Sequence, residues 1–279
     1  MIEHFKKIEF LYGSNCSIYI PNEVFKDLTT VLKSIKGGNI KELSFSYAYL
    51  VTVGFLYRYA NYVDVDEGTY IQNRNIKELL GYSHTTKTVD KIIKKNGILD
   101  MMGLTDTIKN YPVFFNLEEG EINKCNIVEF TTIDELDDKD KYKSIVKNRN
   151  FEVKDPTYIT SGYKDREYGT LYDTQNTHRV TIGEFIKFIE DEKLNNTDFL
   201  LYCYFKSKCK GFKKNKRELS LSIILSDIDI SQESFYRYLK NLKDMKFIKV
   251  KHRGGWVVLE NNDESVKCRA NEYTFLGIW

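Results

Sequence analysis

The sequence predicts a mainly α chain with small β-wings, an α+β class. Three observations predict it. Apolar residues recur at helical spacing in the longer periodic segments. Short alternating strands follow helices and sit beside glycine turns. A plan of short apolar helix, turn, Ser/Thr-capped helix, basic end and apolar strand occurs twice, from Asn75 and again from Leu221.

Taken in order, Ser17 to Pro21 reads as extended, and Pro21 suits a helix start before Asn22 to Val31. Ser44 to Tyr62 is apolar on most faces and predicts a buried helix with Ser44 or Ser46 as its N-cap. A short helix over Asn75 to Leu80 ends at Gly81. After a turn, Val89, Ile92 and Ile93 lie at helical spacing and predict a helix from Thr85 to Lys95. Ile98 to Met102 and Tyr111 to Asn116 then read as strands.

From Leu117 to Thr177 the composition changes to an acidic run from Asp134, a strand at Asn126 to Thr132, and a tyrosine-rich polar stretch from Tyr158 to Tyr172. Such a segment reads as an insertion or linker. The expected organisation is therefore an N-terminal domain over 1–118, an irregular acidic and tyrosine-rich segment over 119–177, and a C-terminal domain over 178–279.

The second half opens with an amphipathic helix over Thr181 to Leu194, its stripe made by Ile182, Phe185, Ile186 and Ile189. Asn195 to Thr197 then cap a helix from Asp198 to Ser207. A basic loop from Lys206 leads into Glu218 to Phe275. There a short apolar helix is followed by a turn, a Ser231-capped helix to Met245 and an alternating strand from Phe247. Gly254-Gly255 supports a tight hairpin from that strand into Trp256 to Glu260.

Several function classes are excluded or disfavoured. No apolar run reaches the roughly 20 residues of a bilayer helix, and Met1 to Phe10 lacks a secretory apolar core, so a cytoplasmic protein without membrane contact is expected. The five cysteines are odd in number, widely spaced and contain no C-x-x-C pair, as in a reducing compartment. His4, His84, His178 and His252 are isolated, so no metal or cofactor is expected. With no phosphate-binding glycine loop either, an enzyme is not expected.

What remains is DNA. The second helix of a helix-turn-helix must enter a major groove about 12 Å wide, and its outward residues must be polar and flanked by cations. On Ser231 to Met245 the core stripe is Phe235, Leu239, Leu242 and Met245, which leaves Gln232, Ser234, Tyr236, Arg237 and Lys240 to read bases or set the helix. A basic hairpin beside that helix is a wing, holding phosphates with Lys251 and Arg253; Lys213, Lys214, Lys216 and Arg217 of the preceding loop add to it. Thr86, Lys87 and Lys91 form a lesser N-terminal counterpart. The expected architecture is thus a pair of tandem winged helix-turn-helix domains.

The run "ISQESFYRYLKNLKDMKFIKVKHRGG" with Asn271, Tyr273 and Phe275 after it resembles the winged-helix domains of plasmid and phage replication proteins of low-GC Gram-positive bacteria. The N-terminal half, with "SIYIPNEVF" and "IKELLGYSHTTKTVDKIIKK", is similar in layout to the RepA_N type of plasmid replication initiator. Together these cover about two-thirds of the chain by pattern. They imply sequence-specific binding of double-stranded DNA at origin repeats, replication initiation as the role, host replication proteins as partners, and compatibility with a homodimer. The same fold serves a transcription regulator of a mobile element or a protein-interaction module.

Overall fold

A computed structural model describes residues 1–14, 16–35, 38–119, 126–146, 150–159, 176–252, 256–260, 263–267 and 270–278; at 117–119, 126–129, 256–260 and 263–267 the description is of the backbone alone. The chain is mainly helical with small antiparallel sheets. It forms two compact units, each assembled from two stretches: unit 1 from Met1–Pro21 and Phe45–Glu192, unit 2 from Asn22–Ser44 and Lys193–Trp279. These boundaries differ from the consecutive domains the composition suggests.

Unit 1 is organised around α3 (Ile40–Arg58), whose first residues belong to unit 2. From Phe45 to Leu56 its side chains are buried on every face, as an all-round apolar helix requires. The helix begins four residues before Ser44, because the Asn39 carboxamide oxygen accepts from the Lys41 and Glu42 amides and caps it first. Mid-helix, a Cβ on Gly54 would sit 2.5 Å from the Tyr158 hydroxyl and 2.8 Å from Ile18 Cδ1, so glycine admits two neighbours there.

Helix α1 (Ile2–Tyr12) packs on α8 (Ile182–Glu190), from far along the chain, and α8 in turn meets α3. Phe185 of α8 meets Phe5 of α1 at 5.1 Å and Phe55 of α3 at 5.8 Å. The strand β1 (Ser17–Pro21) pairs with β8 (Thr177–Thr181) in a register from Ser17↔Thr181 to Pro21↔Thr177. The middle segment is part of this unit: β5 (Pro112–Glu119) pairs with β6 (Asn126–Thr132), followed by α7 (Asp140–Ile145) and β7 (Val153–Asp155). Strand β7 pairs with β4 (Asp106–Ile108) and brings the buried Lys154 ammonium 2.6 Å from Asp100. The tyrosine-rich stretch lies outside the described residues after Ile159.

Three elements depart from the sequence expectation. The helix expected over Thr85 to Lys95 is a run of turns ending in α5 (Asp90–Ile93). The reason is Lys77 of α4 (Asn73–Leu79): its buried ammonium pairs with Asp90 and donates to the carbonyls of Thr86 (2.8 Å) and His84 (3.4 Å). Those carbonyls are the acceptors a continuous helix would have used. Ile98 to Met102 is also not a strand but α6 (Ile98–Met101), since the Asp100 carboxylate takes the Asn96 amide at 3.0 Å and closes the turn. A short, mostly apolar run of five residues does not by itself separate strand from helix.

The third departure lies in unit 2. The strand β10 (Ile248–Lys251) does not form a hairpin with β11 (Trp256–Glu260); it pairs with the terminal strand β13 (Asn271–Phe275), while β11 pairs with β12 (Asp263–Lys267). The Gly254-Gly255 turn lies outside the described residues. β13 pairs on its other edge with β9 (Lys216–Leu219), giving the order β10–β13–β9. One face of this sheet, with Ile248, Tyr273, Phe275 and Leu219, is buried against α9 (Asn196–Cys209), where Phe205 stacks on Tyr273 at 4.8 Å and Tyr202 meets Phe275 at 5.0 Å.

The core of unit 2 is completed by α2 (Val24–Ser34) from early in the chain. Phe25 meets Tyr204 at 5.5 Å, the Thr29 hydroxyl donates to the Asp227 carbonyl at 2.9 Å, and Lys33 pairs with Asp229 at 2.9 Å.

Candidate nucleic-acid interface

The expected reading helix forms as α11 (Gln232–Asp244), preceded by α10 (Leu221–Asp227) and a short turn. Ser231 caps it by accepting from the Ser234 amide at 3.2 Å, and Ser220 caps α10 through the Ile223 amide. Phe235, Leu239 and Leu242 are buried and fix which face looks inward. With that face set, Gln232, Tyr236, Lys240 and Lys243 lie at spacings of four, four and three residues and form one exposed stripe. Lys243 was missing from the sequence expectation, although its position eleven residues after Gln232 signals the same face.

Other predicted residues differ in exposure and engagement. Arg237 is exposed beside the stripe, its guanidinium 4.9 Å from the Tyr238 ring centroid and donating to that hydroxyl at 3.2 Å. Ser234 is half-buried. Lys240 pairs with Asp244 at 2.9 Å, a mutual exposure that water screens. On the opposite flank, Asn241 donates to the buried Asp198 carboxylate at 3.0 Å, and the same carboxylate takes the Asn195 amide at 3.0 Å as the N-terminal box of α9. Burial pushes the Asp198 carboxyl up to about 6, against the pull of these hydrogen bonds and the Arg237 charge. Helix α11 is therefore braced by an acid that the sequence pattern marks only as the start of a helix.

The solvent face of the sheet carries Lys249 and Lys251 of β10 and Lys216 of β9, with Glu272 between them and 3.4 Å from the Lys216 ammonium. Lys213 and Lys214 are exposed in a tight turn before β9, where Lys214 takes a left-handed backbone (φ 59°). Arg217 is committed locally, stacked 4.7 Å over Phe212 and donating to the Lys208 carbonyl at 3.2 Å. Arg253 lies outside the described residues. The strand order thus brings Lys216 and Lys251 onto one face of the sheet, with Lys213 and Lys214 in the turn that leads into β9.

The N-terminal counterpart is not assembled as expected. Thr86 lies in the turn held by Lys77, Lys87 is exposed, and only Lys91 lies on α5, half-buried. Charge divides the same way. Unit 2 contains 21 Lys and Arg against 13 Asp and Glu, net +8; unit 1 contains 21 against 27, net −6. The whole-chain value of +2 hides both.

Among the described residues no group of three or more His, Cys, Asp or Glu side chains can hold a metal ion, and no helix is long and apolar enough to cross a membrane. Of the described cysteines, Cys16, Cys203 and Cys209 form no disulfide. Comparison with protein-family models, with curated proteins and with solved structures finds no match to this chain.

Proposed function

We propose that unit 2 is a winged helix-turn-helix module that binds double-stranded DNA, with α11 in the major groove and the lysines of β10 and of the 213–216 turn on phosphates. The observation that carries this reading is the charge division: the net +8 unit is the one that contains the capped helix with an exposed Gln232–Tyr236–Lys240–Lys243 stripe. Cations on such a unit release counterions from DNA, and polar groups on a helix that fits the groove can reach base edges. The tandem arrangement is narrowed to one reader, because the N-terminal unit offers a four-residue α5 and a net negative charge.

The role we propose is that of a plasmid or phage replication initiator acting at origin repeats, on the strength of the sequence resemblance. The test of DNA binding is the affinity of the full chain for duplex DNA as salt is raised. Six to ten phosphate contacts are expected to weaken binding by about 10³–10⁵ between 50 and 200 mM salt. An affinity that stays flat across that range contradicts the reading.

A further inference from the structure

Unit 1 contains an open groove of ≈ 320 Å³ between α1, the turn after α3, β5 and α7. Its floor is aromatic and braced. Tyr59 is buried and its hydroxyl accepts from the Ser17 amide at 3.0 Å; Tyr12 stacks on it at 5.8 Å, and Phe115 meets both edge-on at 5.1 and 5.5 Å. Leu11, Tyr12 and Phe114 line the groove and yet are 54%, 44% and 56% exposed. They are three of the five exposed large apolar side chains described in unit 1, so most of that apolar exposure lines this groove.

The surroundings of the groove are acidic. Lys7 on its wall is already matched by Asp64 at 2.7 Å and Asp66 at 3.4 Å, and Glu67 follows in the same turn. On the other side, Lys141 and Tyr142 lie at the end of the run that holds Asp134, Glu135, Asp137, Asp138 and Asp140, all exposed; Lys139 lies 3.6 Å from Asp134 and Lys143 3.7 Å from Asp140, and the five acids still outnumber these lysines. In a unit of net −6 this disfavours nucleic acid and anionic membranes as occupants, and favours a cation-bearing one.

We infer that this groove is a docking site for a basic amphipathic segment of a partner protein, which seats aliphatic or aromatic anchors on Tyr12, Tyr59 and Phe114 and places Lys or Arg near Asp66 and the 134–140 run. The braced floor supplies a pocket already shaped for such anchors. This surface lies in the unit to which no DNA contact is assigned, and the inference does not rest on the DNA reading.

The test uses the full chain and a fluorescein-labelled synthetic peptide of Leu and Lys patterned as an amphipathic helix, beside a twin with Glu in place of Lys. Saturable binding of the Lys peptide alone is expected. Phe114→Glu and Asp66→Lys should each weaken it by about 10-fold or more, while Met101→Glu, on an exposed position outside the groove, leaves it unchanged. Thermal melting checks that each variant is folded, and duplex DNA affinity should be the same in Phe114→Glu as in the natural chain. Equal binding of the Glu twin, or an equal response to Phe114→Glu and Met101→Glu, overturns the inference. So does sedimentation in which Phe114→Glu dissolves an oligomer, since a second copy would then be the occupant, or loss by Phe114→Glu of binding to anionic lipid vesicles.

Discussion

Gly54 and Asp198 are two positions where a single side chain decides local geometry. An alanine at 54 is favoured by helix propensity by about 1 kcal/mol, but its methyl group would enter the space of the Tyr158 hydroxyl and Ile18. Overpacking of that kind costs about 1–3 kcal/mol, and the Tyr158 hydroxyl is itself tied to the Leu50 carbonyl at 2.9 Å and cannot simply turn away. Gly54→Ala is therefore expected to lower the urea midpoint, and a raised midpoint contradicts this account. At 198 the carboxyl is raised from 3.8 to about 6 by burial. The folded state then holds its proton longer than the unfolded state, so the Asp198 contribution to stability is full below about pH 4 and is lost as pH rises through about 6. Asp198→Asn gives up the Asn195 contact at every pH but removes this titration. The deficit of the variant is expected to shrink between pH 4 and pH 7 in melting experiments; a deficit that grows over that interval would refute the assignment.

At the scale of elements, caps and periodicity made much of unit 2 legible. Ser231 and Asn195 were readable as N-caps because each precedes an apolar helical pattern, and both accept backbone amides as expected. Asn195→Ala is expected to cost about 1 kcal/mol, measured by chemical denaturation. Strands β5, β6 and β10 also follow from their alternation or apolar runs. What was not legible depends on partners distant in sequence. The Thr85–Lys95 pattern is helical by spacing, but the ammonium of Lys77 takes its carbonyls. Strand β10 prefers β13 to its sequence neighbour β11, and nothing in Phe247 to Glu260 announces that choice. For the proposed interface, Gln232, Tyr236 and Lys240 of the exposed stripe are readable from period, whereas the Asp198–Asn241 brace joins residues 43 apart and is not. If α11 reads bases while the preceding turn holds phosphate, Arg237→Ala should change the preferred sequence by about 1–3 kcal/mol at one base position. Lys213→Ala should instead weaken every duplex alike. Equal effects on all sequences from both variants, seen in parallel titrations, would remove that division.

For the whole molecule, the central fact is that each unit is assembled from separated stretches. The pairing of β1 with β8 joins residues that begin and nearly complete unit 1, and α2 supplies Phe25 and Thr29 to a core otherwise made after Lys193. Local pattern cannot reveal such exchange, because every segment involved reads as an ordinary strand or helix. A fragment of residues 193–279 lacks α2 and is expected to bind a hydrophobic dye and melt without cooperativity; adding a peptide of residues 22–44 should restore a sharp transition. Sharp melting of the fragment alone would contradict the shared core. The same arrangement sets an order of events at the ribosome. Residues 22–44 emerge early and must wait through the synthesis of Phe45–Glu192 before the surface they cover exists. Unit 1 holds both of its stretches once residue 192 is made, whereas the apolar side of α2 gains its partners, Tyr204 and the Asp227 carbonyl, only after that point.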